Sequence, residues 1–291
     1  LFKIGIALLI FIGMIFVLFC MVLIMPSEEY ETVNYDIPNM RDYYTHIKGN
    51  GEDKVTLMVY MVGSDLESDG GAASEDIAEM TAANADNINI TLQTGGAAAW
   101  ENASISDGKT ERHIIKNGEL QNVENLGEAQ MTSPNMLTDF IKWSASNYPA
   151  DRYELVLWNH GGGTALGFGY DEMYPDDMLS LSQIGNALSD SGIKFDIVGF
   201  DACLMGTIET AYMLEPYADY LVASEEYEPG TGWYYSEWLK NLSDNMSMPT
   251  VEIGKKIVED YINGPDSSFF DSNLIIIVEL REIPYTYSKL S

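Results

Sequence analysis

The 291-residue sequence predicts an α/β protein on a largely parallel sheet flanked by helices, preceded by one N-terminal transmembrane helix. Three observations predict this. Several strand-length runs are almost wholly apolar, as strands covered on both faces must be. These runs alternate with helical segments. Ahead of them, residues 4–25 form an uncharged run of Ile, Leu, Phe, Val and Met, long enough to span a bilayer as a helix.

Taken in order, the elements begin with that membrane segment. No small-x-small site follows it, so it reads as an uncleaved anchor and not a signal peptide. Lys3 precedes the span and Glu28 and Glu29 follow it, which predicts a single-pass protein of the cell membrane with its bulk outside. Residues 26–52 read as a polar linker and 53–291 as the folded domain. Residues 54–62 are a strand buried on both faces, 76–85 a short helix and 89–93 a second strand. Asn117-Gly118 lies between two strand-like stretches, 112–116 and 119–123, and suits the positive φ angles of a tight hairpin turn. Ser133-Pro134 supplies an N-cap and a first-turn proline, with Met136, Leu137, Phe140, Ile141 and Ser144 on one face of the helix that follows. Strands over 153–158, 195–200 and 220–223 then alternate with helices over 181–188, 204–214 and 251–262. A last buried strand, 274–280, comes so near Ser291 that the fold is expected to continue past it.

Composition narrows the function. With 45 acidic and 15 basic residues the formal net charge is −30, which argues against nucleic acid and favours a cationic ligand. The two cysteines, Cys20 and Cys203, cannot form a disulfide framework, and the only histidines are His46, His113 and His160.

Two strand ends carry the chemistry. One strand leads into Asn159-His160-Gly161-Gly162-Gly163, the other into Asp201-Ala202-Cys203-Leu204-Met205. In α/β sheets, ligands bind at the carboxyl ends of the strands. A thiol and an imidazole on adjacent strand ends make a nucleophile and its base, with the imidazole promoting the thiolate. Glycines beside the histidine let backbone N–H groups approach a substrate carbonyl. Either residue alone would read as buried structure; the pair, with glycines and an acid attached, reads as catalytic.

These two motifs, together with Glu209-Thr210-Ala211-Tyr212, Ser224-Glu225-Glu226 and Pro229-Gly230-Thr231-Gly232-Trp233, resemble the clostripain family of cysteine peptidases over roughly residues 55–280. The resemblance implies a caspase-like fold, His160 and Cys203 as the catalytic dyad, and the N–H groups of Gly161 and Cys203 as the oxyanion hole. It also implies cleavage of peptides or proteins after arginine or lysine, with Asp201 lining the S1 pocket. In basic-specific relatives a second acid often sits in the Pro-Gly-x-Gly-Trp loop, where this chain has Thr231, so basic selectivity is expected to be less decisive. Relatives are often activated by self-cleavage after a basic residue between the histidine and the cysteine. The only such residue here is Lys194, and the loop over 170–178 has none. The alternative function is a catalytically silent homologue that binds peptides at the cell surface.

No cofactor is required by this chemistry. Calcium is left open with no ligands assigned: Asp65-x-Glu67-x-Asp69-Gly70, with Asp76 at the twelfth position, resembles the start of a calcium loop but lacks its closing glutamate, and reads as a solvated acidic loop. His113 in the hairpin and His46 in the linker read as surface residues.

Overall fold

In the computed structural model, residues 44–264 and 274–283 are described. One eight-stranded sheet has the order β4-β3-β2-β1-β5-β6-β7-β8. The long apolar runs become its centre: β1 (Val55–Val62) is buried along its whole length, between β2 (Asn89–Gly95) and β5 (Arg152–Trp158). Both neighbours run parallel to it, as do β6 (Phe195–Asp201) and β7 (Ala218–Ser224) beyond β5. Antiparallel strands close the two edges: β3 (Thr110–Lys116) and β4 (Glu119–Gly127) on one side, β8 (Ile275–Glu279) on the other. The expected Asn-Gly hairpin joins β3 to β4, with φ of 54° at Asn117 and 69° at Gly118.

Alternate residues of β1 serve opposite layers. Val55, Leu57, Val59 and Met61 pack beneath α2 (Ala72–Ala82), α7 (Tyr235–Asp244) and α8 (Thr250–Asn263), which follow the short α1 (Ser64–Ser68) and later elements. Met58, Tyr60 and Val62 pack beneath α3 (Pro134–Asn147), α5 (Leu181–Ser191) and α6 (Ile208–Leu214), with the one-turn α4 (Gly163–Leu166) between α3 and α5 in the chain. Fully burying each large apolar side chain in such a layer is worth roughly 1.5–3 kcal/mol, and the resulting three-layer sandwich fixes the strand ends where the site lies.

Several expectations need correction. His113 is not a surface residue: β3 is covered, its ring is fully buried, and Thr94 Oγ1 lies 3.0 Å from Nε2. Burial pushes its pKa down to about 4, against the opposing charge of Glu111. The last strand is an antiparallel, half-buried edge and not an interior strand. The helix expected over 204–214 begins only at Ile208, because Leu204 takes φ of 63°. Helix α7 was unforeseen, although Tyr235, Trp238, Leu239 and Leu242 have helical spacing. Among the described residues no helix is long and apolar enough to cross a membrane; the expected anchor over 4–25 lies outside them.

Candidate active site

Strands β5 and β6 run side by side with Trp158 opposite Asp201, so His160 and Cys203 each emerge two residues beyond a paired position. The N–H of Asn159 continues the ladder to the carbonyl of Asp201 at 3.2 Å. The two turns are packed so closely that a Cβ on Gly161 would collide with the carbonyl oxygen of Cys203, which only glycine avoids. Among the described residues, the N–H groups of Gly161 and Cys203 donate to no carbonyl. Asn159 clamps the end of the sheet: its amide donates to the carbonyl of Val62 and, at 2.8 Å, to Ser64 Oγ, while its oxygen accepts from the N–H of Tyr170.

His160 and Cys203 are not hydrogen-bonded to each other. His160 Nε2 lies 2.9 Å from Asp65 Oδ1. Partial burial works to raise the Asp65 carboxyl, but the hydrogen bond and charge of His160 hold it below the usual carboxylate range. An ionised carboxylate only accepts, so Nε2 carries a proton, and in the neutral imidazole the lone pair is then on Nδ1. Cys203 Sγ accepts from the N–H of Glu228 at 3.3 Å. Burial pushes the Cys203 thiol up, helped by the charges of Glu228 and Asp201 and opposed by that N–H. With no imidazole hydrogen-bonded to it and burial pushing it up, the sulfur rests as a thiol in this arrangement.

Behind Cys203 lies a buried acidic region. Asp201 accepts from the N–H of Trp233 at 3.1 and 3.2 Å and from Tyr235 Oη–H at 2.8 Å. Burial pushes it up to about 7, against the hydrogen bonds of Tyr235 and Trp233. Gly232, with φ of 61°, brings the Pro229–Trp233 loop so near that a Cβ there would sit 2.7 Å from Asp201 Oδ1. Thr231 is half-buried in the same loop. Asp76 accepts from Trp158 Nε1 at 2.6 Å, and burial followed by the charge of Asp201 pushes it well above its usual range.

Residues 59–289 match the model of the clostripain family of peptidases. The chain belongs to the clostripain family. It is 32% identical over 225 residues to clostripain of Hathewaya histolytica, across 65% of this chain and 42% of that protein, so it spans about two fifths of that relative's length. In fold it is similar to a secreted C11 cysteine protease from Bacteroides thetaiotaomicron solved with an irreversible peptide inhibitor. The TM-score there is 0.65 at 22% identity, over 80% of this chain and 67% of the other. It is also similar to an inactive zymogen C11 protease from Parabacteroides distasonis, with TM-score 0.61 at 21% identity over 79% and 63% of the two chains.

Within this clostripain-family chain, the calcium-like acids have separate tasks. Asp65 contacts His160 and Asp76 binds Trp158. Glu67 is fully buried, not solvated, and accepts from the N–H groups of Ser74 and Glu101 at 2.9 and 2.8 Å. Among the described residues no group of three His, Cys, Asp or Glu side chains is arranged to hold a metal ion. Of the predicted site residues, the fold brings His160, Gly161, Asp201 and Cys203 together and sets Thr231 in the loop over Asp201. Asp65, Asn159 and Glu228 were missed as site residues; Asp65 follows the β1 strand end, a signal that could have found it.

Proposed function

We propose that this clostripain-family chain is a cysteine endopeptidase that hydrolyses peptide bonds after arginine or lysine, with Cys203 as nucleophile and His160 as base. The observation that carries it is the β5–β6 register, which sets the two residues beyond neighbouring strand ends, beside two N–H groups that donate to no carbonyl among the described residues. His160 Nδ1 takes the thiol proton as the sulfur attacks the scissile carbonyl carbon, and the carbonyl electrons move onto its oxygen. That oxyanion accepts from the N–H groups of Gly161 and Cys203. As the C–N bond breaks, His160 returns the proton to the leaving amine, and water, deprotonated by the same imidazole, hydrolyses the thioester. Asp201 and Thr231 line the S1 subsite. No cofactor is needed for these steps, and the apolar segment over 4–25 anchors the chain with its domain outside the cell.

Labelling with an electrophilic peptide tests this reading. A probe with P1 arginine should modify Cys203 faster than its P1 alanine counterpart, and Cys203→Ala should lose both labelling and turnover. Hydrolysis that survives in Cys203→Ala would end the assignment.

A further inference from the structure

Buried carboxylates are tolerated when donors or cations satisfy them. By that standard Asp201 is complete, with the Trp233 N–H and the Tyr235 hydroxyl on its oxygens. Glu228 is not. Its Oε1 has one long bond, 3.4 Å from Trp233 Nε1, and its Oε2 is sealed from solvent with no side-chain hydrogen-bond partner among the described residues. Its backbone N–H is on the Cys203 sulfur, so its carboxylate lies within a side chain's length of the nucleophile. Burial pushes the Glu228 carboxyl well above its usual range, helped by the charge of Asp201 and opposed by the hydrogen bonds of Trp233 and of the Ala202 N–H.

A second buried polar group lies within reach of the charges of these acids. Tyr261 of α8 is 5% exposed, and its hydroxyl is buried without a partner among the described residues. The charges that act on it are those of Glu228, Asp201 and Cys203. A carboxyl and a hydroxyl with unused capacity, the first on the residue whose backbone N–H meets the reacting sulfur, match a guanidinium or an ammonium, which brings several N–H donors and a positive charge. No salt bridge reaches Glu228 or Asp201 from any described residue.

We propose that Glu228 is the carboxylate that directly receives the P1 cation, with Asp201 behind it and Tyr261 Oη accepting one further N–H. The uncharged Thr231 of the neighbouring loop then leaves basic selectivity intact. This rests on the endopeptidase reading above and assigns the residue that sets its specificity.

The test uses the full chain and peptides that differ only at P1: arginine, lysine or norleucine. Active-site titration normalises kcat/KM to competent Cys203. In Glu228→Gln the arginine-to-norleucine ratio should fall at least about 30-fold, and adding Thr231→Asp should restore part of it. Tyr261→Phe, which removes only the hydroxyl, should lower the ratio about 3- to 10-fold with unchanged melting. An unchanged ratio in Glu228→Gln, or an equal loss on all three peptides, overturns the proposal while leaving the endopeptidase reading in place. A wild-type chain that hydrolyses all three alike overturns basic specificity as well, and one with no Cys203-dependent hydrolysis overturns the reading beneath both.

Discussion

Acidic side chains are buried at both ends of the parallel strands, but on different terms. At the amino ends, Arg152 opens β5 and its guanidinium bonds Asp196 of β6, with both side chains wholly buried. The same guanidinium donates to the carbonyls of Met246 and Met248 at 2.9 and 2.7 Å and to Thr250 Oγ1 at 3.1 Å. Asp53 is met by the N–H groups of Lys48 and Gly49 and by Ser247 Oγ. At the carboxyl ends, Asp76, Asp201 and Glu228 have neutral donors only, and the charges acting on them are other carboxylates. A fold can bury a carboxylate permanently by supplying its cation. Burial pushes carboxyls up at both ends, Asp196 and Glu154 included, although the charge of Arg152 opposes it there. What distinguishes the carboxyl ends is that no cation among the described residues pairs with Asp76, Asp201 or Glu228, which leaves that role to an incoming one.

The largest effect should come from breaking the satisfied end. Arg152→Met leaves Asp196 buried without its cation, and the expected loss of stability is about 3–5 kcal/mol. Denaturant unfolding would read it, while turnover per folded molecule should match wild type. A loss below about 1 kcal/mol would mean that the pair is not the anchor of that end.

The complementary change is Asp201→Asn. It should cost less stability than Arg152→Met, because no ion pair is broken, but it should lower kcat/KM for basic P1 substrates by about 2–4 kcal/mol. It carries a pH signature. Burial, working against Tyr235 and Trp233, sets the folded Asp201 near 7. Below that pH the carboxyl is neutral and cannot pair with a cation, so wild-type preference for arginine over norleucine should rise as pH increases through 7. Its linked contribution to stability has the opposite sign: the folded state keeps a proton that the unfolded chain has released, so stability is lost as pH rises from the ordinary carboxylate range to about 7. Asp201→Asn should flatten both slopes; slopes that persist unchanged would assign them to another group.

Smaller again is the effect expected at Asp65. Its pairing with His160 is half-exposed, so its role is orientation and tautomer, not charge stabilisation. Asp65→Asn should lower kcat about 10- to 100-fold with KM little changed, and move the acidic limb of the pH–rate profile. A matching rise in KM would show that Asp65 binds substrate instead.

The contrast between the two ends also explains what could be read in advance. The central strands were legible because each is apolar along most of its length, and the hairpin because Asn117-Gly118 dictates its turn. His160, Gly161, Asp201 and Cys203 were legible because strand–turn chemistry is local. Asp65 lies 95 residues before His160 and reaches it only through the β1–β5 pairing. The burial of His113 depends on the covering of β3 by distant elements. Glu228 follows Ser224, Glu225 and Glu226, a stretch whose sequence carries only the family resemblance; Trp233, which folds back over Gly199 where a Cβ would lie 2.6 Å from the indole, meets its carboxylate only in the fold. Arg152, a charge at the start of a buried strand, marks a paired end only once the carbonyls of Met246 and Met248 are seen to meet it.

The final prediction is of no change at all, and it sets the specificity of one end against the protection of the other. Between Gly161 and Ala202 the only basic residue is Lys194. It lies at the satisfied end, one residue before β6, with Nζ 4.0 Å from Asp219 and the next N–H donating to Tyr217 at 2.8 Å. Backbone held in a sheet cannot extend into a protease groove. The loop over 169–178 is accessible at its tip, where Met173 and Tyr174 are exposed, and its base is closed by reciprocal bonds between Phe168 and Leu179. That loop has no basic residue to offer. An enzyme that needs a P1 cation to satisfy its buried carboxylates should therefore leave its own histidine-to-cysteine segment uncut, while a protease selective for aromatic residues should cut it near Tyr174. Intact-mass measurement of the incubated chain should show no break there over many turnovers. A two-chain form with its break between 161 and 202, absent in Cys203→Ala, would mean that the carboxylates at the site do not govern what the enzyme cleaves.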